Sequence, residues 1–213
     1  MLTDVVKADE VDMREVSCAV LAGGTSSRFG RDKALLQVDG QMLIQRVVDR
    51  LSKISNDVLI VGNNLGRFEG VRARLVEDRV QGAGALGGVY TAVEACRHPY
   101  VFCVACDMPF LDLNLIRYMV LLAPGYDVVM PYVRGEPEPL HAVYGKACAP
   151  AIKAALDAGE RRIISFLAQV RVRDVREDEI RILDPNLHSF FNLNVPEDLA
   201  RMQAILEAQK TQA

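Results

Sequence analysis

The apolar run Cys18-Ala-Val-Leu21 passes directly into Ala22-Gly23-Gly24 and then into a loop dense in hydroxyls and cations. No other stretch limits the fold as much. An apolar run that stops on paired glycines reads as a buried strand leaving its sheet through a tight loop. Gly23, Gly24 and Gly30 tolerate positive φ and let the backbone approach a ligand closely. Thr25, Ser26 and Ser27 add hydroxyls, and Arg28, Arg31 and Lys33 concentrate positive charge. Exposed N–H groups beside such cations seat phosphate. An ordinary strand-to-helix turn could also carry Gly-Gly, but the full spacing Gly-Gly-x-x-x-Arg-x-Gly-x-x-Lys favours a phosphate loop. The stretch has neither the Gly-Lys-[Ser/Thr] ending of a Walker loop nor the G-x-G-x-x-G spacing of a dinucleotide fold.

Downstream, apolar runs alternate with helical patterns. Residues 42–54 place Leu43, Val47, Leu51 and Ile54 on one helical face, and Val58-Leu-Ile-Val61 follows as a second buried strand. Leu75-Val76 predicts a short third strand, and Tyr100-Val-Phe-Cys-Val-Ala-Cys106 a central one, apolar on both faces. Helices are expected over 89–96, 111–122 and 150–158, with helical spacing again at 162–170. Strands are expected over 127–133, 170–175 and 190–196, and weak alternation over 140–144; an acidic first turn at Glu197 and Asp198 opens a last helix. The alternation predicts one α/β domain over 16–213, a Rossmann-like, mostly parallel sheet covered by helices on both faces. Residues 1–15 carry scattered charge and read as a solvated leader.

At 213 residues the chain is long enough for one substantial core. Its net charge of −3 argues against a nucleic-acid surface, yet a polyphosphate site needs only local positive charge. No apolar run reaches bilayer length. Five cysteines without a signal-peptide pattern suggest reduced thiols in the cytoplasm. Cys103-Val-Ala-Cys106 has metal spacing but lies in the most apolar run, with no second pair nearby, and reads as buried small hydrophobes.

In parallel sheets ligands sit beyond the carboxyl ends of the strands, where the strand order reverses. The 22–33 loop, Asn63, Asp78, the glycines of 82–88 and Asp107 all follow strand ends, so one rim should gather them. Asp107, aimed by the apolar strand before it, is the candidate Mg²⁺ ligand, since Mg²⁺ prefers carboxylate, water and phosphate oxygens. A turn cap before Pro109 is the alternative. Asp78 suits a base edge or ribose hydroxyl and equally a cap. The glycines of 82–88 suit a second ligand loop or a plain connector. Asn192 and Asn194, alternating about Leu193, share a face that suits a polar ligand or a turn. His141 stands alone and reads as structural. No Ser–His–Asp or Cys–His set suggests a covalent nucleophile.

Taken in order, Leu21-Ala-Gly-Gly with Arg28 and Asp32-Lys33, Gly82-x-Gly-x-Leu-Gly-Gly88, Cys106-Asp-Met-Pro109, Gly159-Glu-Arg-Arg162 and Asn192-Leu-Asn-Val-Pro-Glu-Asp-Leu199 resemble the MobA-type molybdenum cofactor guanylyltransferases. The resemblance runs from about residue 16 to 202. It implies a nucleotide-diphospho-sugar transferase-like fold and transfer of GMP from Mg²⁺-GTP to molybdopterin, releasing pyrophosphate. It further implies that Leu21, Ala22, Gly23, Gly24, Lys33, Asn63 and Asp78 hold the nucleotide, that Arg28 and Lys33 neutralise the leaving pyrophosphate, and that Asp107 binds Mg²⁺. Asn192 and Asn194 would face the pterin, with Arg161 or Arg162 a weaker suggestion there. Implied partners are GTP, molybdopterin, and molybdoenzyme apoproteins or cofactor-delivery proteins. Related readings are a transferase using CTP or another phosphorylated acceptor, and a silent nucleotide-binding homologue. Two positions depart from the family pattern, both beside the expected base pocket: Val61-Gly62 ends the second strand where an Asn is common, and Ala85 replaces a Pro.

Overall fold

In a computed structural model of the chain, residues 16–23 and 32–211 are described, with side chains through 208. Strand β1 (Val16–Leu21) is buried along its whole length. A 3₁₀ turn at Lys33–Leu35 leads into a two-strand hairpin, β2 (Gln37–Val38) and β3 (Gln41–Met42). Its tip is Asp39-Gly40, with φ of 49° and 76°, the left-handed pair that a tight hairpin turn requires. Helix α1 (Leu43–Leu51) returns the chain to β4 (Asp57–Gly62), again buried throughout, and β5 (Arg74–Glu77) forms the edge beyond it.

Helix α2 (Gly84–Ala95) crosses back to β6 (Tyr100–Ala105), and α3 (Leu113–Leu121) leads to β7 (Val128–Val133). The short β8 (Glu136–Pro137) and then β9 (His141–Gly145) fold back antiparallel. The remainder comprises α4 (Ala149–Asp157), β10 (Val172–Val175), α5 (Glu177–Leu183) and α6 (Glu197–Thr211).

The main sheet runs β10-β7-β9-β6-β1-β4-β5, parallel except for β9 and the side strand β8. The expected α/β architecture is therefore observed, with an antiparallel insertion. Alternation along β1 divides the core. Cys18 and Val20 pack with α1, α3 and α5, while Ala19 and Leu21 pack with α2 and α4. Because both faces are covered, the central strands read as continuous apolar runs. A satellite cluster joins Val38, Leu43, Phe110 and Leu193 to Met202 and Leu206 of α6.

Three local expectations change. Residues 190–196 are not a strand: a 3₁₀ turn at His188–Phe190 is followed by irregular chain. The Asp184 carboxylate accepts from the backbone N–H groups of His188 and Ser189, and that of Asp198 from Asn194 and Val195. Within 190–196, Asp198 thus takes two of the donors that a ladder would use. The glycines at 84, 87 and 88 lie within α2 rather than in a loop ahead of it. Residues 163–169 form a 3₁₀ rather than an α-helix.

Four of the five cysteines are buried, Cys106 is half-buried, and none is paired. Burial pushes the thiols of Cys18 and Cys106 up to about 12, consistent with their reading as hydrophobes. No described helix is long and apolar enough to cross a membrane.

Candidate active site

The register of the three central strands builds the site. Leu21 stands opposite Val61 on one side and Ala105 on the other, so β1, β4 and β6 end at one level. The chain proceeds from β1 outward to β4 and β5 and then returns to β6 on the other flank, which makes the β1–β6 crevice the switch point. Ala22 N–H donates to Val61 O at 2.8 Å, and Leu21 O accepts from Cys106 N–H at 3.2 Å, so the start of the glycine loop is pinned from both neighbours. Gly62 passes so close that a Cβ there would lie 2.8 Å from Ala22 O. Only glycine fits. Gly24 and Arg28, with the rest of 24–31, lie outside the described residues.

Arg67 was not marked by the sequence pattern. Its guanidinium donates to Ala22 O at 2.9 Å, pairs with Asp32 at 3.0 Å and lies over the Phe68 ring at 4.7 Å. It therefore braces both described ends of the loop.

Lys33 opens the 3₁₀ turn capped by Asp32, whose Oδ1 accepts from Ala34 N–H at 3.0 Å. Lys33 Nζ lies 3.3 Å from Asp107 Oδ2 and 3.2 Å from Asn194 Oδ1. The Lys33 and Asp107 side chains are only 16% and 18% exposed, so the pair is partly shielded from water. Asp107 O accepts from Leu193 N–H at 3.0 Å, and Leu193 is fully buried. Asp198 fixes the next residues through Asn194 and Val195 N–H at 2.8 and 3.0 Å. Those amides, the first above all, hold the Asp198 carboxyl below its ordinary range, with Arg201 assisting. Three sequence candidates 161 positions apart at the extreme thus meet around one ammonium group.

Asp78 follows β5. Its N–H donates to Gly62 O at 3.0 Å, and its Oδ2 accepts from Asn63 Nδ2 at 3.1 Å. Its Oδ1 is buried with no partner among the described residues, and burial raises its pKa. Gly23 and Gly88 flank it with bare backbone, each leaving space where a Cβ would lie 3.9 Å from the carboxylate. A carboxylate this desolvated costs free energy until donors reach it.

On the other side, Asn192 and Asn194 line a groove of about 630 Å³ with Phe191, Arg201, Arg134 and Glu138. The two Asn side chains serve one cavity although their backbone is irregular. Arg161 and Arg162 do not line it. His141 is fully buried between Phe102 and Phe190, at ring-centroid distances of 4.9 and 4.7 Å, as the structural reading expected. No cluster of three or more metal-ligating side chains occurs among the described residues. A lone carboxylate still fits Mg²⁺, which characteristically binds one or two carboxylates and completes its shell with phosphate and water.

Residues 18–172 match the family described as the MobA-like NTP transferase domain. The chain belongs to this family. It is 37% identical over 199 residues to a probable molybdenum cofactor guanylyltransferase of Pelotomaculum thermopropionicum, covering 93% of this chain and 97% of that one. It is 35% identical to the molybdenum cofactor guanylyltransferase of Desulfosudis oleivorans, covering 92% and 98%. The crystal structure of molybdopterin-guanine dinucleotide biosynthesis protein A from Archaeoglobus fulgidus superposes with a TM-score of 0.79 at 28% identity, covering 90% and 99%. A cytidylyltransferase from Thermus thermophilus shares the fold, with a TM-score of 0.68 at 18% identity. As a MobA-like NTP transferase, the chain is a nucleotidyltransferase.

Proposed function

We propose that this chain transfers GMP from Mg²⁺-GTP to molybdopterin, forming the guanine dinucleotide cofactor and pyrophosphate. One observation carries the reading: Lys33 joins the glycine loop to Asp107 and, through Asn194, to the 630 Å³ groove. A triphosphate held at the loop and an acceptor held in the groove would meet at that ammonium.

The acceptor's phosphate oxygen attacks the α-phosphorus in line, the bond to the β-phosphate oxygen breaks, and pyrophosphate leaves. The chain need only bind, align and neutralise, so no protein nucleophile enters. The backbone at Leu21, Ala22 and Gly23 cradles phosphate, and Lys33 exchanges its present contacts for the triphosphate. Gly24 and Arg28 complete this loop by sequence. Asp107 holds Mg²⁺, which when bound offsets charge on the phosphates. Asn192 and Asn194 orient the acceptor.

Asp78 supports guanine as the base. Guanine presents N1–H and the 2-amino group side by side, two donors for a carboxylate with a bare Oδ1. Cytosine presents an acceptor, N3, beside its amino group and would leave the buried oxygen facing a lone pair. Sites built around buried polar groups reject such mismatches strongly. Asn63 holds the carboxylate's orientation. Reduced thiols fit action in the cytoplasm, where molybdoenzyme apoproteins or cofactor-delivery proteins would receive the product.

The test is nucleotide selectivity. Purified protein with molybdopterin and Mg²⁺ should release pyrophosphate with GTP. Turnover with CTP alone, or with GTP and a sugar phosphate in place of the pterin, would overturn the assignment.

A further inference from the structure

The turn between β8 and β9 carries a half-buried carboxylate, that of Glu138, with no protein partner among the described residues. Glu138 is held firmly by its backbone: its N–H donates to Pro131 O at 2.9 Å, and its carbonyl accepts from His141 N–H at 3.0 Å. Buried Tyr144 fixes the same turn by donating its hydroxyl to Pro139 O at 2.7 Å. The Glu138 side chain is half-buried and lines the groove that also holds Asn192 and Asn194. Its carboxylate makes no hydrogen bond or ion pair among the described residues, and burial raises its pKa against the opposing pull of Arg134. The other acids of the groove differ. Asp198 is saturated by two backbone amides and Arg201, and Glu136 is exposed to water.

A half-buried carboxylate on a backbone-fixed turn, with no protein donor among the described residues, is matched by a ligand that brings N–H groups to it. The ligand edge that fits has two adjacent in-plane N–H donors, as in a 2-amino-4-oxopyrimidine. Guanine has this edge, and so does a pterin, at N3–H and the 2-amino group. Resting on the acceptor reading above, we propose that Glu138 binds the N3–H/2-amino edge of the acceptor's pterin ring, as Asp78 does for guanine. Each heterocycle then has its own carboxylate, on opposite sides of Lys33 and Asp107. The acceptor is thereby oriented with its ring at Glu138 and its phosphate toward Asn194 and Lys33.

The experiment pairs Glu138→Gln and Glu138→Ala with two ring probes. With molybdopterin varied at saturating Mg²⁺-GTP, both variants should raise the acceptor KM by roughly ten- to a hundredfold, as expected for losing a charged hydrogen-bonding partner. The GTP KM should stay within about twofold, since the base is read elsewhere. Pterin and lumazine, which replaces the 2-amino group by oxygen, are then compared as competitors of molybdopterin. The wild type should prefer pterin, and Glu138→Gln should lose that preference. A purely structural role would not alter the pterin-to-lumazine ratio. If Glu138→Ala fails to fold, the near-isosteric Gln variant carries the test. Folded variants with unchanged acceptor KM and unchanged pterin preference overturn the inference while leaving the transferase reading intact. Absence of any GTP-dependent transfer to molybdopterin by the wild type overturns the transferase reading instead, and pterin competition measured by direct binding then judges Glu138 alone.

Discussion

Gly62→Ala is the sharpest probe of how the sheet positions the glycine loop. The new Cβ would stand 2.8 Å from Ala22 O and 3.1 Å from Ala22 C. An ordinary contact begins near 3.4 Å, so Ala22 O must retreat by 3.4 − 2.8, or 0.6 Å. It has little freedom to do so. Ala22 N–H is bonded to Val61 O at 2.8 Å, and Ala22 O accepts from Arg67 at 2.9 Å. Overpacking of this kind costs about 1–3 kcal/mol. Part of the strain will be relieved by weakening the Arg67 bond, which displaces the nucleotide loop. The expected result is a loss of about 2 kcal/mol, or a Tm lower by about 4–8 °C for a chain of this size, together with a raised GTP KM. Gly66→Ala serves as control, because nothing lies within 4 Å of its added Cβ and its φ is ordinary; stability there should stay unchanged or rise by up to about 1 kcal/mol. Urea denaturation of both variants and steady-state kinetics provide the readout. A Gly62→Ala protein as stable as the wild type, with the same GTP KM, would refute the steric argument.

Lys33→Ala and Asp107→Asn should each lower kcat by roughly a hundredfold or more while the denaturation midpoint barely moves, as expected for groups that stabilise transferring charge; rates unchanged in both would remove the site assignment. At the opposite end of the sheet, Asp57 is 2% exposed and accepts from Ser17 at 2.6 Å, Arg97 N–H at 3.0 Å and Arg74 at 2.9 Å. Burial alone would raise its pKa, but these donors outweigh it and the net shift is downward. Its stabilisation is therefore present above the ordinary carboxylate pKa and fades as pH falls through the lowered one. Asp57→Asn should cost about 3 kcal/mol at pH 7, as for other broken buried pairs, and leave the GTP KM alone. Burial drives His141 down to about 3, against a smaller opposing effect of Asp184. The unfolded chain then takes up a proton first as pH drops below about 6.5, so stability falls between there and about 3. At pH 5 the loss from this residue should approach about 2 kcal/mol. Denaturation midpoints of His141→Leu should therefore change less between pH 7 and pH 5 than those of the wild type; equal changes would show that His141 does not drive the acid limb.

Much of this was written locally in the chain. β1, β4 and β6 are continuous apolar runs because helices cover both faces, and Asp39-Gly40 announces a turn by residue type alone. Residues whose role depends on distant partners were less legible. Asn192-Leu-Asn194 has strand-like alternation, yet the Asp198 carboxylate takes the Asn194 and Val195 N–H groups and the strand does not form. Arg67 looks like any surface cation until Ala22 and Asp32 are brought beside it. Glu138 carries no local mark in Arg134-Gly-Glu-Pro-Glu-Pro139, and its partial burial on a backbone-fixed turn distinguishes it from exposed Glu136 two residues earlier.

The site candidates that the sequence did reveal share a cause. Leu21, Val61 and Ala105 are in register, and their strands are locked there by which side chains face which helices. A one-residue slip of β1 would exchange Cys18 and Val20 with Ala19 and Leu21, turning each set toward the wrong layer. The same slip would move Ala22 and Gly23 about 3.3 Å along the sheet. That is far enough to lose the Ala22–Val61 bond and the close passage of Gly62. The core thus specifies the height at which the glycine loop, Asp78 and Asp107 emerge. Residues that follow the strand ends could therefore be gathered into one site from sequence. Asn192 and Asn194, before α6, were marked by alternation and family resemblance rather than by a strand end, and Glu138 on the β8–β9 turn was not marked at all, because the placement of both segments depends on tertiary contacts that no local pattern encodes.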